Sequence, residues 1–248
     1  MSAEEVLEQY DYFLSSLPLG EAALKGVSQA VKLTEIPIIQ LMYQLGTYAG
    51  LGHDEACKRV LPFLFQRSAI LLASELPKQH SLNERQVNSC LLTLQQLFNL
   101  SLSRIHLNEA QQIHCYKLLA LVGATQQADV GAQQWNIERS MQAAKGLSGY
   151  QFEAYCSLIS THSSDAVNSA NAETSKETHK PLTQLGHAFG ILLHISKDIE
   201  YKRERFVTLQ QSDQSKLKTW ALNQAKLIAD AEVVPLSLLL PSLIKYIR

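Results

Sequence analysis

Two histidines stand seven residues apart at His187 and His194, a spacing that places both on one helical face, where each can ligate a metal or relay a proton. No further ligands stand at metal-site spacing around them. Buried, hydrogen-bonded rings are therefore the expectation, and no metal site is predicted. Lys145, read by itself, is a lysine that snorkels at a helix surface. Gln126 and Asp129, three apart, can line a cavity or form a polar pair on a helix exterior. Lys197, Lys202, Arg203 and Arg205 can hold an anionic head group. Because Asp198, Glu200 and Glu204 are interleaved with them, a solvated helix face is the ordinary reading. Glu75 with Asp54 or Glu84 can form a small acidic site, although separately solvated carboxylates are commoner.

Other chemistries have less to stand on. Cys57, Cys90, Cys115 and Cys156 lie 25 to 41 residues apart with no C-x-x-C pair, so neither a zinc knuckle nor a redox pair is written here. They read as small buried hydrophobes in a reducing compartment. Ser148, Ser157 and Ser160 lack a nucleophile elbow. No glycine-rich phosphate loop occurs. The set of catalytic residues is therefore left empty.

The elements that must position these residues are helices. The 248 residues hold only 11 glycines and 7 prolines, few chain-breakers for a β-sandwich, and 46% of the chain is hydrophobic, enough for a sizeable core. Lys and Arg number 22 against 23 Asp and Glu, which gives no basic field for nucleic acid. The first residues are acidic and show no secretory h-region. The most apolar run, Val233 to Ile247, is interrupted by Pro235 and Pro241 and is too short to span a bilayer. A cytoplasmic protein without an integral membrane segment is the expectation.

Apolar residues recur at spacings of three and four. The stripe Ile38, Leu41, Met42 and Leu45 ends near Gly50-Leu51-Gly52, with Pro37 at its start. Helices are predicted over about 54–75, ended by Pro77, then 88–103, 108–130, 137–160 and 182–206, with one or two more after Ser215. Leu76 to Glu84 and part of the polar stretch Ser163 to Lys180 read as loops. Leu182 to Ile195 is apolar on more than one face, the pattern of a helix at the centre of a bundle. The chain is read as one all-α domain over 1–248, with eight to ten helices around a central cavity.

Several segments, in order, are similar to a known family. Ile36-Pro37-Ile38-Ile39-Gln40-Leu41 resembles an Arg-Pro-x-Leu helix opening, with Ile36 at the arginine position. Gln126-x-x-Asp129 resembles Gly-Gln-x-x-Asp, with Thr125 at the glycine position. Lys145, followed by Gly149 and Phe152, is similar to a Lys-Thr helix. Leu185-Gly186-His187-Ala188-Phe189-Gly190-Ile191 resembles Leu-Gly-x-Ala-Phe-Gln-Ile, and Ala225-Lys226 through Leu240-Pro241 to Tyr246-Ile247-Arg248 resembles a closing pair of helices. The chain thus resembles the trans-polyprenyl diphosphate synthases of the class I isoprenoid synthase fold. The resemblance implies an isoprenyl diphosphate or another apolar ligand, and a homodimer or a heterodimer with a catalytic homologue. By the same resemblance, Lys145, Gln126, Asp129, Phe189, Lys197 and Glu75 are the substrate-binding candidates.

The family holds Mg²⁺ between two Asp-Asp-x-x-Asp motifs, and both are altered here. Counted from Phe189, the second falls on Leu193-His194-Ile195-Ser196-Lys197, with Asp198 one residue beyond. The first falls on Ser74-Glu75-Leu76-Pro77-Lys78. Carboxylates at i and i+4 share a helix face and can bridge a hard cation. A leucine and a lysine at those positions cannot. The expectation is a degenerate member without Mg²⁺-dependent prenyl transfer and with no cofactor, which binds an isoprenoid-like ligand or acts as a non-catalytic partner subunit. Two alternatives stand beside it. One is an active prenyltransferase whose basic residues replace the metal at the diphosphate, with Mg²⁺ retained only in that case. The other is a helical scaffold without a small ligand.

Overall fold

Local signals in the sequence set the helix ends. Pro37 occupies the first turn of one helix, where its missing N–H costs no bond. That helix ends in a Schellman turn: Gly50 adopts φ 89°, its N–H reaches Thr47 O, and the Leu51 N–H reaches Gly46 O. Asn83 and Gln86 form a reciprocal capping box at the start of another helix. The computed structural model describes residues 3–74, 83–107, 109–130, 134–160 and 172–247. Among them the structure is helical throughout, with no strand.

The chain divides into two compact units, Met1–Leu107 and Asn108–Arg248. The first contains α1 (Ala3–Ser15), α2 (Glu21–Val31), α3 (Ile36–Tyr48), α4 (His53–Ser74) and α5 (Glu84–Ser103). In it α4 is central and packs on α1, α2, α3 and α5. Its Phe65 ring lies 5.9 Å from Tyr10 and 5.6 Å from Phe13, centroid to centroid, around a core that includes Leu64, Met42 and Leu45. Fully burying side chains of this size stabilises by about 1.5–3 kcal/mol each.

The second unit contains α6 (Glu109–Val130), α7 (Ile137–Ala143), a π-helical segment (Ala144–Gly149), α8 (Tyr150–Ser160), α9 (Ala172–Glu200), α10 (Glu204–Val207), α11 (Gln211–Asp230) and α12 (Val234–Ile247). Here α9 is central, as its several apolar faces predict, and packs on α8, the π segment, α10, α11 and α12. Phe189 and Phe152 meet in its core at 5.1 Å between ring centroids.

Three expected elements differ. The segment 137–160 is not one α-helix: it is interrupted by the π turn. The segment 182–206 ends at Glu200, because Lys202 takes a left-handed φ of 50°. The backbone is already helical from Ala172, within the stretch read as part loop. Ala, Glu and Lys there favour helix, and no glycine or proline breaks it before Pro181. Glu75 and most of the loop expected over 76–84 lie outside the described residues. None of the described helices is long and apolar enough to cross a membrane.

Candidate functional site

The π-helical segment is where the chemistry of the second unit converges. A π turn inserts one extra residue into a helix, and such insertions frequently mark functional sites. Here close packing on both sides fits the distortion. A Cβ at Gly146 would overlap the Thr125 side chain of α6, and a Cβ at Gly190 would overlap the Ser148 carbonyl. Gly190 therefore lets α9 approach the backbone of the π turn directly. At the position where the resembling motif carries glutamine, this chain has no room for a side chain.

On the inner side of the π turn lies a buried polar chain. Ser148 Oγ is 3.1 Å from His194 Nδ1, and His194 Nε2 is 3.5 Å from Asp198 Oδ2. Arg205 Nε donates to the same Asp198 oxygen at 2.6 Å. Arg203 Nε lies 3.7 Å from Oδ1. The backbone at the end of α9 makes this possible. The Arg203 N–H bonds to Asp198 O and the Lys202 N–H to Ile199 O, a Schellman turn with lysine in the left-handed position. That turn reverses the chain and brings both arginines back onto Asp198. Ser140 Oγ then donates to the Arg205 carbonyl at 2.7 Å and ties α7 to the same knot. Ser148, His194, Asp198 and Arg205 are all buried.

A cavity of about 430 Å³ opens on the other side of the π turn. Leu121, Ala124, Thr125 and Ala128 form one wall, spaced as a single face of α6. Trp135, Arg139, Gln142, Lys145, Gly146 and Tyr150 line the rest of it. Asn136 caps α7 by accepting from the Arg139 N–H at 2.9 Å, and Arg139 Nη1 donates to Gln134 O at 2.8 Å. The Lys145 ammonium stands 5.6 Å above the Trp220 ring, a cation–π contact.

The candidates from sequence separate into distinct places. Lys145 lines the cavity. Gln126 is half-buried on α6. The Asp129 backbone is in α6, and its side chain lies outside the described residues. Phe189 is fully buried against Phe152. Lys197 bonds to Glu200 at 2.8 Å and stands over the Tyr201 ring at 5.2 Å. His187 Nδ1 lies 2.9 Å from Glu153 Oε2, with the Tyr150 ring beside it. His194 thus shares a hydrogen bond with Ser148, while half-buried His187 lies in close contact with Glu153. The four cysteines are buried and free. Burial pushes the thiols of Cys57, Cys90 and Cys115 up to about 11 and raises that of Cys156 further. The cavity residues Trp135, Arg139 and Tyr150 were not singled out in the sequence. The only trace of them there is the spacing 135, 139, 142, 146, 150, a single helical face.

Two solved structures are similar over nearly their whole length. A geranyltranstransferase from Thermotoga maritima aligns with a TM-score of 0.67 at 16% identity, covering 100% of this chain and 97% of that one. The fold is that of the trans-prenyl synthases. A geranyltransferase from Legionella pneumophila aligns with a TM-score of 0.63 at 13% identity, covering 98% and 95%. No protein-family profile matches the sequence, and no curated protein does.

The resemblance that gives this fold also implies Mg²⁺, and the described residues of α9 do not fit that ion. Mg²⁺ requires near-octahedral oxygen ligation. Leu193 is buried apolar surface, Lys197 carries a positive charge, and the Asp198 carboxylate is held by two guanidinium groups. Among the described residues no three His, Cys, Asp or Glu side chains converge as a metal site.

Proposed function

We propose that this chain is a prenyl-synthase-fold protein that binds an isoprenoid-like ligand without performing Mg²⁺-dependent prenyl transfer. Both units act together in this reading, as one domain. The observation that carries it is the fate of Asp198. Asp198, one residue beyond the expected second aspartate motif, is buried and paired with Arg205 at 2.6 Å, whose own backbone carbonyl accepts from Ser140 Oγ. A carboxylate so engaged must break a buried ion pair before it can ligate a cation, at a cost of several kcal/mol.

The structural neighbours are named for geranyl transfer, so isoprenyl diphosphates are the ligands to try first. Farnesyl diphosphate is titrated into the protein by calorimetry, with and without Mg²⁺, while diphosphate release is followed. Binding that ignores Mg²⁺, with no release, is the expected result. Release in Mg²⁺ sinks the non-catalytic reading. Absence of binding in both conditions shifts the role to a partner subunit, sought by co-purification with a catalytic homologue.

A further inference from the structure

We infer that the outer face of α12 is an interaction surface for a second copy of this chain, packed against it antiparallel. The inference goes beyond the proposed function and stands whether or not an isoprenoid binds. α12 packs on α9 and α11, and there Pro235, Leu236, Leu240, Leu243 and Ile247 are buried. Its other side is apolar too. Val234 and Leu238 are 62% and 65% exposed, and Pro241 and Lys245 are exposed with them. Positions 234, 238, 241 and 245 advance by four, three and four, so these residues form one stripe along the helix. A helix apolar on every side is ordinarily covered on every side. On the neighbouring α11, Leu227 is 49% exposed as well.

Charge selects what covers the stripe. Asp230 and Glu232 are exposed just before its first residue, and Lys245 ends it. Glu200, which feels the Lys245 charge, is already bonded to Lys197 at 2.8 Å. An anionic membrane would meet both signs at once and gain little. Two copies packed in parallel would set carboxylate against carboxylate. In an antiparallel pair, centred on the middle of the stripe, Leu238 of one copy meets Pro241 of the other and Val234 meets Lys245. The ammonium of Lys245 then comes within reach of Glu232 in the other copy. Two-fold symmetry makes that contact twice, once at each end, as an isologous interface requires. The opposed helix dipoles add to it. Stable complexes bury about 800 Å² per partner, more than a stripe of four side chains supplies, so the association is weak and concentration-dependent.

The test reads contact between two α12 helices, so a dimer formed through another surface does not satisfy it. Val234→Cys is treated with a short amine-to-thiol cross-linker in a mixture of isotopically light and heavy chains. Within one chain, positions 234 and 245 are about 16 Å apart along the helix, beyond the linker, and the four native thiols are buried. A light–heavy link between position 234 and Lys245 is expected. In sedimentation velocity the wild type should gain mass with concentration, and Leu238→Asp should weaken that association at least tenfold. Glu232→Lys and Lys245→Glu should each weaken it several-fold. The double variant, which exchanges the two signs, should recover most of the loss. All three residues are exposed, and circular dichroism checks that each variant is folded. Absence of the light–heavy link overturns the assignment, as does an association that Leu238→Asp leaves unchanged or a double variant no better than the single ones. Binding to phosphatidylglycerol vesicles that Leu238→Asp abolishes, without a link between copies, gives the face to a membrane and overturns it too.

Discussion

Replacing Asp198 with asparagine keeps the shape of the side chain and removes the negative charge facing Arg205. The consequence follows from burial. Asp198 and Arg205 are 4% and 9% exposed at the side chain, and their contact is 2.6 Å. Removing one partner of a buried pair costs about 3–5 kcal/mol, because the other charge is stranded. Arg203 adds less, being 19% exposed and 3.7 Å away. Ser140 fixes the Arg205 backbone through its carbonyl. In a chain of this length 1 kcal/mol corresponds to about 2–4 °C in Tm, so Asp198→Asn should lower the melting temperature by roughly 6–20 °C. The assay is thermal unfolding followed by circular dichroism, with and without Mg²⁺. The wild type should be indifferent to the ion. A metal bound at a hundred times its Kd would add about 2.7 kcal/mol, or about 5–11 °C. A wild-type rise of that size that vanishes in Asp198→Asn refutes the reasoning: the carboxylate would then be a metal ligand. A shift below about 2 °C for the variant refutes the other half, that the pair is buried and uncompensated.

Gly190→Ala places a methyl group against the Ser148 carbonyl. Overpacking of this kind costs about 1–3 kcal/mol, so chemical denaturation should show a lower midpoint, while Gly123→Ala, at an exposed glycine with nothing near, should not. Protein stability should also fall as pH rises from 9 toward 11, measured by urea unfolding. The buried thiols titrate near 11 when folded against 9 when exposed. Above pH 9 the unfolded chain releases thiol protons that the folded chain retains, and ionisation pulls toward the unfolded state. Thiol reagent at pH 8 should correspondingly label the native protein far more slowly than the denatured one.

Helical character was legible from one dimension because it depends on spacing. The three-and-four recurrence of Ile38, Leu41, Met42 and Leu45, the proline at position 37 and the Gly50 stop act within one turn of their own backbone, and α3 follows them closely. The same holds for the central place of α9, since a helix apolar on several faces must be covered on several faces. Helix breaks were legible only where glycine or proline announced them. Lys202 stops α9 in a conformation that lysine seldom adopts, and no local pattern distinguishes it from the lysines around it.

The site divides along the same line. Lys145 was visible as a cation in a helical context, and His194 as a ring sharing a helical face with His187. Their roles depend on contacts between residues far apart in the chain: Ser148 with His194 across 46 positions, and Ser140 with the Arg205 carbonyl across 65. The string of residue types thus set the helices and the buried thiols, because each is a matter of composition or local period. Whether Asp198 would be a free ligand or half of a buried ion pair was decided by the Schellman turn that swings Arg203 and Arg205 back onto it. The cavity beside Lys145 exists because α6 and the π turn meet through Gly146 and Thr125, a distance between elements that no spacing along the chain encodes.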